Sequence, residues 1–247
     1  LINMVYFLKK KKKIKIVGID LSSTSLDICK KRVKKYNLQN VTLIEMSLLD
    51  LDPNIHGTFD LIISVGVLHH LEDPILGLNS LKTVLKEDGG MNLMVYGKYG
   101  RTGVYQMQDL MKQINYNEQS NDFSNKIQNF KTIYKQLPNN NWFKKGENLI
   151  NDHKTSDAGI VDLVLHHQDR SYNIKELFEW IEKCELYFVD FSPENRYKYK
   201  YNIKDINYSN NIIDKYSINE LFFGDIIKHC FWLTKQKKNK CTIEYLD

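Results

Sequence analysis

Two adjacent imidazoles, His69 and His70, close a segment that runs from Phe59 to Pro74. An apolar run (Phe59–Ser64) leads into a small-residue turn, Ser64-Val65-Gly66, then the His pair, then Asp73-Pro74. Histidine is the side chain best suited to moving protons near neutral pH, so one of the pair, His70, is read as a general base or as an orienter of a reacting group. His69 is read as lining the same place. Metal binding by the pair is not expected, because neighbours on a turn point apart and no third ligand is close in sequence. Downstream, Tyr96-Gly97-Lys98-Tyr99-Gly100-Arg101-Thr102-Gly103-Val104-Tyr105 sets a guanidinium and tyrosines among three glycines. Arg101, Tyr99 and Tyr105 could grip an anionic or aromatic group. The Gly-Lys-Ser/Thr ending of a phosphate loop is not there. A second His pair, His166-His167, stands beside Asp169-Arg170, read first as an Asp–Arg salt bridge bracing the cap, with a contribution to the acceptor pocket as the alternative.

Asp20 and Leu21 end a β-rich run (residues 14–19) directly before a helix cap at Ser22 to Thr24. An acid at the carboxyl edge of a doubly wound sheet can accept both hydroxyls of a ribose. The small residues Ser64, Val65 and Gly66 end another strand, where a backbone can approach a ligand closely.

These residues need a scaffold, and the hydrophobic pattern supplies one. Strands are predicted at 14–19, 41–44, 59–64 and 91–96, with helices at 22–37 and 74–85 between them. Asp73 as cap and Pro74 at the first helical position open the second helix; Asp88-Gly89-Gly90 is read as its end. This alternation predicts an α/β fold with a doubly wound, mostly parallel, Rossmann-like sheet. Beyond residue 100 the pattern changes. Two polar helices are predicted over 104–137, an irregular segment over 138–168, a helix at 174–184, strands at 187–191 and 229–234, and a helix at 218–228. The expected organisation is a core over 1–100, a helical cap insertion over 101–170, core again over 171–193, a second cap over 194–225, a last core strand over 226–235 and a loose tail over 236–247.

Composition bounds the rest. The 247 residues are 42% hydrophobic and 26% charged, with a net charge of +5, which is ordinary for a globular domain and too small for a nucleic-acid footprint. Four scattered cysteines without a C-x-x-C pair point to reduced thiols and a cytoplasmic setting. No apolar run approaches the roughly 18 residues that span a bilayer. The lysine run 9–13 is read as a solvated helix end. No nucleic-acid and no membrane partner is expected, and oligomeric state is left open.

The motifs GVLHHLEDP (66–74), VLK-x-x-GG (84–90), MVYGKYGRTGVYQMQ (94–108) and DAG…DLVLHHQDRSY (157–172) occur in order. In this the chain resembles class I S-adenosylmethionine (SAM) methyltransferases, and within them a bacterial-type group. The resemblance covers about residues 2 to 235. It implies SAM as cofactor, held by Asp20 and Leu21, by Ser47 and Leu48 beside the adenine, and by Ser64, Val65 and Gly66 at the methionine end. Ser47 stands where the family often has Asp, a stronger acceptor for the adenine amino group. The acceptor of the methyl group would lie under the cap, with His70 and Arg101 as catalytic residues; a small molecule is the expected substrate and a protein the alternative. Asp20, Leu48 and Gly66 are expected to share one rim.

The resemblance also breaks. In the family a first strand and an acid-x-Gly-x-Gly loop precede the helix that residues 2–10 would finish, and neither is in this sequence. The expectation is a sheet lacking its first strand and impaired methyl transfer, restored by residues upstream of Leu1. Two other classes fit parts of the pattern. A non-catalytic binding protein on the same fold suits the missing loop. A nicotinamide-dependent oxidoreductase suits Asp20, but not the His-His-Leu turn.

Overall fold

The computed structural model describes residues 14–117, 123–166, 168–192, 197 and 211–237. The predicted helix at 2–10, the lysine run, His167 and most of the Tyr- and Asn-rich stretch after Phe191 lie outside the described residues. The chain divides into two compact units. The first holds the described residues up to Phe59 together with Leu76–Val84, and the second holds Asp60–Ile75 and the described residues from Leu85 onward.

In the first unit β1 (Ile16–Asp20) and β2 (Val41–Glu45) pair in parallel, Ile16 opposite Val41 and Asp20 opposite Glu45. Helix α1 (Ser23–Lys35) joins them. Ser22 caps it by accepting the Ser25 amide, and Leu26 and Cys29 are its buried face. A short helix α2 (Pro53–His56) follows β2, opened by the Asp52 cap. Parallel strands require such a crossover, so the helical stripe and the cap predicted at Ser22 fix the local topology.

The second unit is built on a five-stranded sheet. Its strands are β3 (Phe59–Val65), β4 (Leu85–Gly97), β5 (Ser171–Tyr172), β6 (Tyr187–Phe191) and β7 (Lys228–Thr234). Their order is β3-β4-β7-β6, with β5 parallel to β4 at its end. β7 runs antiparallel to both β4 and β6. Among the described residues β3 pairs only with β4, and β1 only with β2. On β3 the side chains alternate: Ile62 and Ser64 are buried, while Leu61, Ile63 and Val65 are 41, 52 and 53% exposed.

Helix α3 (Pro74–Thr83) lies mostly in the first unit. The helices of the second unit are α4 (Thr102–Ile114), α5 (Ser124–Gln136), α6 (Trp142–Lys145), α7 (Asp157–Val164), α8 (Ile174–Lys183) and α9 (Ile212–Phe223). Helices α4 to α7 enclose an apolar cluster of Val104, Met107, Met111, Phe130, Phe143, Ile150, Ile160 and Leu163. This corrects the reading of 138–168 as irregular: Asn141 and Ser156 cap α6 and α7. The predicted helix at 218–228 sits earlier, because Asn211 caps α9 and Gly224, at φ 64°, ends it. The predicted end of α3 at Asp88-Gly89-Gly90 is also displaced. The helix stops at Thr83 and β4 begins at Leu85, where Lys86 pairs with Asp60 at 2.7 Å. Gly89 then sits so close to the Asp60 carbonyl that a Cβ would lie 3.0 Å from it.

Candidate functional site

In the first unit the cofactor residues expected from sequence gather at the carboxyl ends of β1 and β2. Asp20 is exposed and its Oδ1 accepts the Ser22 amide at 2.8 Å. Its own carbonyl accepts the Met46 amide at 3.2 Å, which ties the two strand ends together. Leu21 is 70% exposed. Ser47 accepts the Leu49 amide at 3.1 Å, opening a helical turn at Leu48–Asp50. The Leu48 carbonyl accepts the Ser80 hydroxyl at 2.7 Å.

In the second unit β3 ends at Val65 and the chain turns at Gly66, whose φ of 76° suits glycine. Ser64, buried at the end of β3, keeps its hydroxyl without a hydrogen-bond partner among the described residues. A buried orphan hydroxyl beside an open glycine turn suits a polar ligand group such as an amino acid moiety.

The His turn lies just past Gly66, as a helical turn over Leu68–His70. His69 is fully buried, its ring 3.9 Å from the Tyr96 ring and 4.2 Å from the His70 ring. Neither of its nitrogens has a hydrogen-bond partner among the described residues. Burial, then the proximity of His70, Arg101 and His166, pushes its pKa down to about 3, so the ring is neutral. Tyr96 is pushed up to about 12, chiefly by burial. The Tyr105 phenol is raised by burial as well.

A segment almost a hundred residues further on closes over this turn. The His70 Nδ1–H donates to the Gln168 carbonyl at 3.0 Å. The Arg170 amide donates to the His69 carbonyl at 3.1 Å, and the Arg170 guanidinium to the Glu72 carbonyl at 2.7 Å. The His166 ring stands 4.3 Å from that of His70. Helix α4 contributes the opposite wall. Arg101 Nη2 reaches Asp169 Oδ2 at 3.4 Å while its guanidinium lies 3.5 Å above the Tyr96 ring. Gln108 donates to the same carboxylate oxygen at 3.1 Å and to the Leu163 carbonyl at 2.9 Å.

The structure thus brings His69, His70, Arg101 and Tyr105 into one cluster with Tyr96, Gln108, His166 and Asp169. The expected Asp–Arg brace exists, but Asp169 takes Arg101 rather than its neighbour Arg170. Arg101, at 5% exposure, has its charge engaged by Asp169 and Tyr96, which does not suit the expected grip on an external anion. Tyr99 goes elsewhere. With Gly100, Thr102, Trp142, Phe143 and Leu149 it lines an open cavity of about 450 Å³. The glycines of this loop serve close packing rather than strained turns: a Cβ on Gly97 or Gly100 would strike the Ile226 backbone. The adjacent imidazoles do not point apart as expected, since the helical turn brings their rings together edge-on at 4.2 Å.

Sequence reasoning missed a second buried polar group. His229 accepts the Tyr197 hydroxyl at Nδ1 (2.9 Å) and donates from Nε2 to the Tyr172 carbonyl (2.9 Å). Glu220 lies 3.2 Å from that Nε2, both side chains fully buried, and its other oxygen accepts the Ile174 amide at 2.9 Å. Tyr172, Glu220 and His229 come from β5, α9 and β7, and no spacing along the chain signals their meeting.

Residues 3–91 match a family model described as a methyltransferase domain. An uncharacterized protein from Synechococcus sp. is 32% identical over 188 residues, covering 74% of this chain and 44% of that protein. One from Rickettsia prowazekii is 26% identical over 200 residues, covering 74% of this chain and 75% of that protein. Among solved structures, PKMT2 from Rickettsia typhi aligns over 99% of this chain with a TM-score of 0.73 at 20% identity. Its complex with AdoHcy aligns over 96% with a TM-score of 0.74, at the same identity. The chain spans 48% of PKMT2 and 44% of the Synechococcus protein, about half of each. The fold is therefore Rossmann-like α/β, shared with PKMT2. Among the described residues no helix is long and apolar enough to cross a membrane.

Proposed function

We propose that the chain is the core of a class I SAM-dependent methyltransferase. The observation that carries this reading is the methyltransferase-domain match over residues 3–91, which contains Asp20, Leu21, Ser47, Leu48, Ser64, Val65, Gly66, His69 and His70. The AdoHcy bound by PKMT2, and the orphaned Ser64 hydroxyl beside Gly66, support the choice of cofactor.

Bound SAM supplies an electrophilic methyl group on a sulfonium. By the resemblance, Asp20 would hold the ribose, Ser47 and Leu48 the adenine, and Ser64 to Gly66 the amino acid end. The acceptor atom is held near the His turn. His70, half-buried and oriented by Gln168, takes the acceptor's proton where that atom is protonated at neutral pH. Positioning and exclusion of water supply most of the rate, because a sulfonium needs no further activation of its leaving group. The substrate is a small molecule in this reading, with a protein side chain as the alternative.

Calorimetry of SAM and of S-adenosylhomocysteine on the full-length protein tests this. One site per chain is expected, weakened about tenfold by Asp20→Asn, the loss of one charged hydrogen bond of roughly 1.5 kcal/mol. Absence of heat with both ligands ends the reading.

A further inference from the structure

We propose that His69, His70 and Asp169 form a binding site for one divalent transition-metal ion, with Zn²⁺ as the best fit. One ring nitrogen of each histidine and one carboxylate oxygen of Asp169 lie within 4.8 Å of one another. Two imidazoles and one carboxylate are a donor set for zinc and its neighbours, and three protein ligands leave a position for water or an acceptor atom. Zn–N and Zn–O bonds of about 2.0–2.2 Å put tetrahedral ligand atoms roughly 3.4 Å apart, so the cluster needs to contract by up to about 1.4 Å.

Three details point to a ligand rather than to inert packing. His69 is fully exposed to no solvent and offers two nitrogens, neither with a hydrogen-bond partner among the described residues. Asp169 Oδ1 is likewise buried without a partner, on a side chain 1% exposed, while its Oδ2 is held by Gln108 and Arg101. The carboxylate thus divides its oxygens, one braced and one spare. His70 gives its Nδ1–H to the Gln168 carbonyl, so the neutral ring carries its lone pair on Nε2, open to an ion or, in the metal-free protein, to the acceptor's proton, but not to both. An imidazole braced on one nitrogen by a carbonyl, and a carboxylate braced on one oxygen by an amide, are the outer contacts that orient metal ligands. Arg101 lies close and repels a cation, but its charge already faces Asp169 and the Tyr96 ring.

The site needs no SAM, so its test is separate from that of methyl transfer. EDTA-treated full-length protein is titrated with ZnCl₂ by calorimetry, without SAM, and its melting temperature is followed. One Zn²⁺ per chain and a rise in Tm reversed by EDTA are expected. His70→Gln and Asp169→Asn should each weaken binding at least tenfold, while His153→Gln, at a remote buried histidine, leaves it unchanged. Should a variant fail to fold, electron paramagnetic resonance of the Cu²⁺-loaded wild type decides, with coupling to two imidazole nitrogens expected. Absence of stoichiometric uptake, unchanged affinity in folded His70→Gln and Asp169→Asn, or coupling to fewer than two imidazoles overturns the site.

Discussion

Arg101 and Asp169, 68 residues apart, meet at 3.4 Å with side chains 5% and 1% exposed. The contact ties the start of α4 to the segment after α7, and the two meet over the His turn. Removing one member of a buried pair leaves an uncompensated charge. Arg101→Met is therefore expected to destabilise the protein by about 3–5 kcal/mol, and Arg101→Met with Asp169→Leu by much less. Urea unfolding of the two single variants and the double variant measures the coupling.

His70→Ala is expected to lower turnover more than SAM affinity, because the ring is assigned to the acceptor and not to the cofactor. Steady-state rates set beside calorimetric SAM affinity separate the two. Equal losses in both remove the assignment.

Glu220 anchors α8 by accepting the Ile174 amide and lies against His229 in a fully buried site. Glu220→Ala leaves that amide and the His229 ring short of a neighbour and should cost about 3 kcal/mol or more. Chemical denaturation checks the figure, and a loss under 1 kcal/mol shows that the contact is dispensable.

Acid should weaken the fold through two histidines. Burial lowers the pKa of His153 below its ordinary 6.5, against the opposing pull of Glu147, and His69 is held at about 3. Each is neutral when folded and takes up a proton when unfolded below pH 6.5. Stability is then full above that pH and falls as pH drops towards the folded values, by up to about 1.4 kcal/mol per pH unit for each group. Melting temperatures from pH 7.5 to 4.5 in EDTA should follow this slope, and His153→Gln should flatten it in part. An identical slope in that variant rules out His153 as a contributor.

Two glycines should respond differently to alanine. At Gly66 a Cβ has room, the nearest atom being 3.8 Å away, so Gly66→Ala pays only for φ 76°, about 1–2 kcal/mol. At Gly100 a Cβ meets the Ile226 backbone. That side chain cannot be accommodated without moving β7's approach, and Gly100→Ala should exceed the Gly66 cost. Thermal denaturation ranks them, and the reverse order contradicts the packing.

Local signals settled the elements whose causes lie within a few residues. Ser22, Asp73 and Asn173 cap helices where hydroxyl, carboxylate or amide acceptors precede an apolar stripe. Strands β1, β2, β3, β6 and β7 fell within two residues of where their apolar runs put them, β6 to the residue, while β4 begins six residues before its predicted start. The turn at Gly66 and the His pair were legible for the same reason: φ preference and side-chain chemistry are properties of the residue itself. What folding alone decided was who meets whom. Asp169 chose Arg101 over adjacent Arg170, Tyr99 left the group that Arg101 joined, and His69 was stripped of solvent by Tyr96. Glu220 on α9 and His229 on β7 found each other. Such pairings follow from how α4, α7 and the sheet pack in space, and burial then sets their charge states. A linear spacing carries neither distance nor dielectric, which is why the chemistry of this cluster emerged only with the tertiary structure.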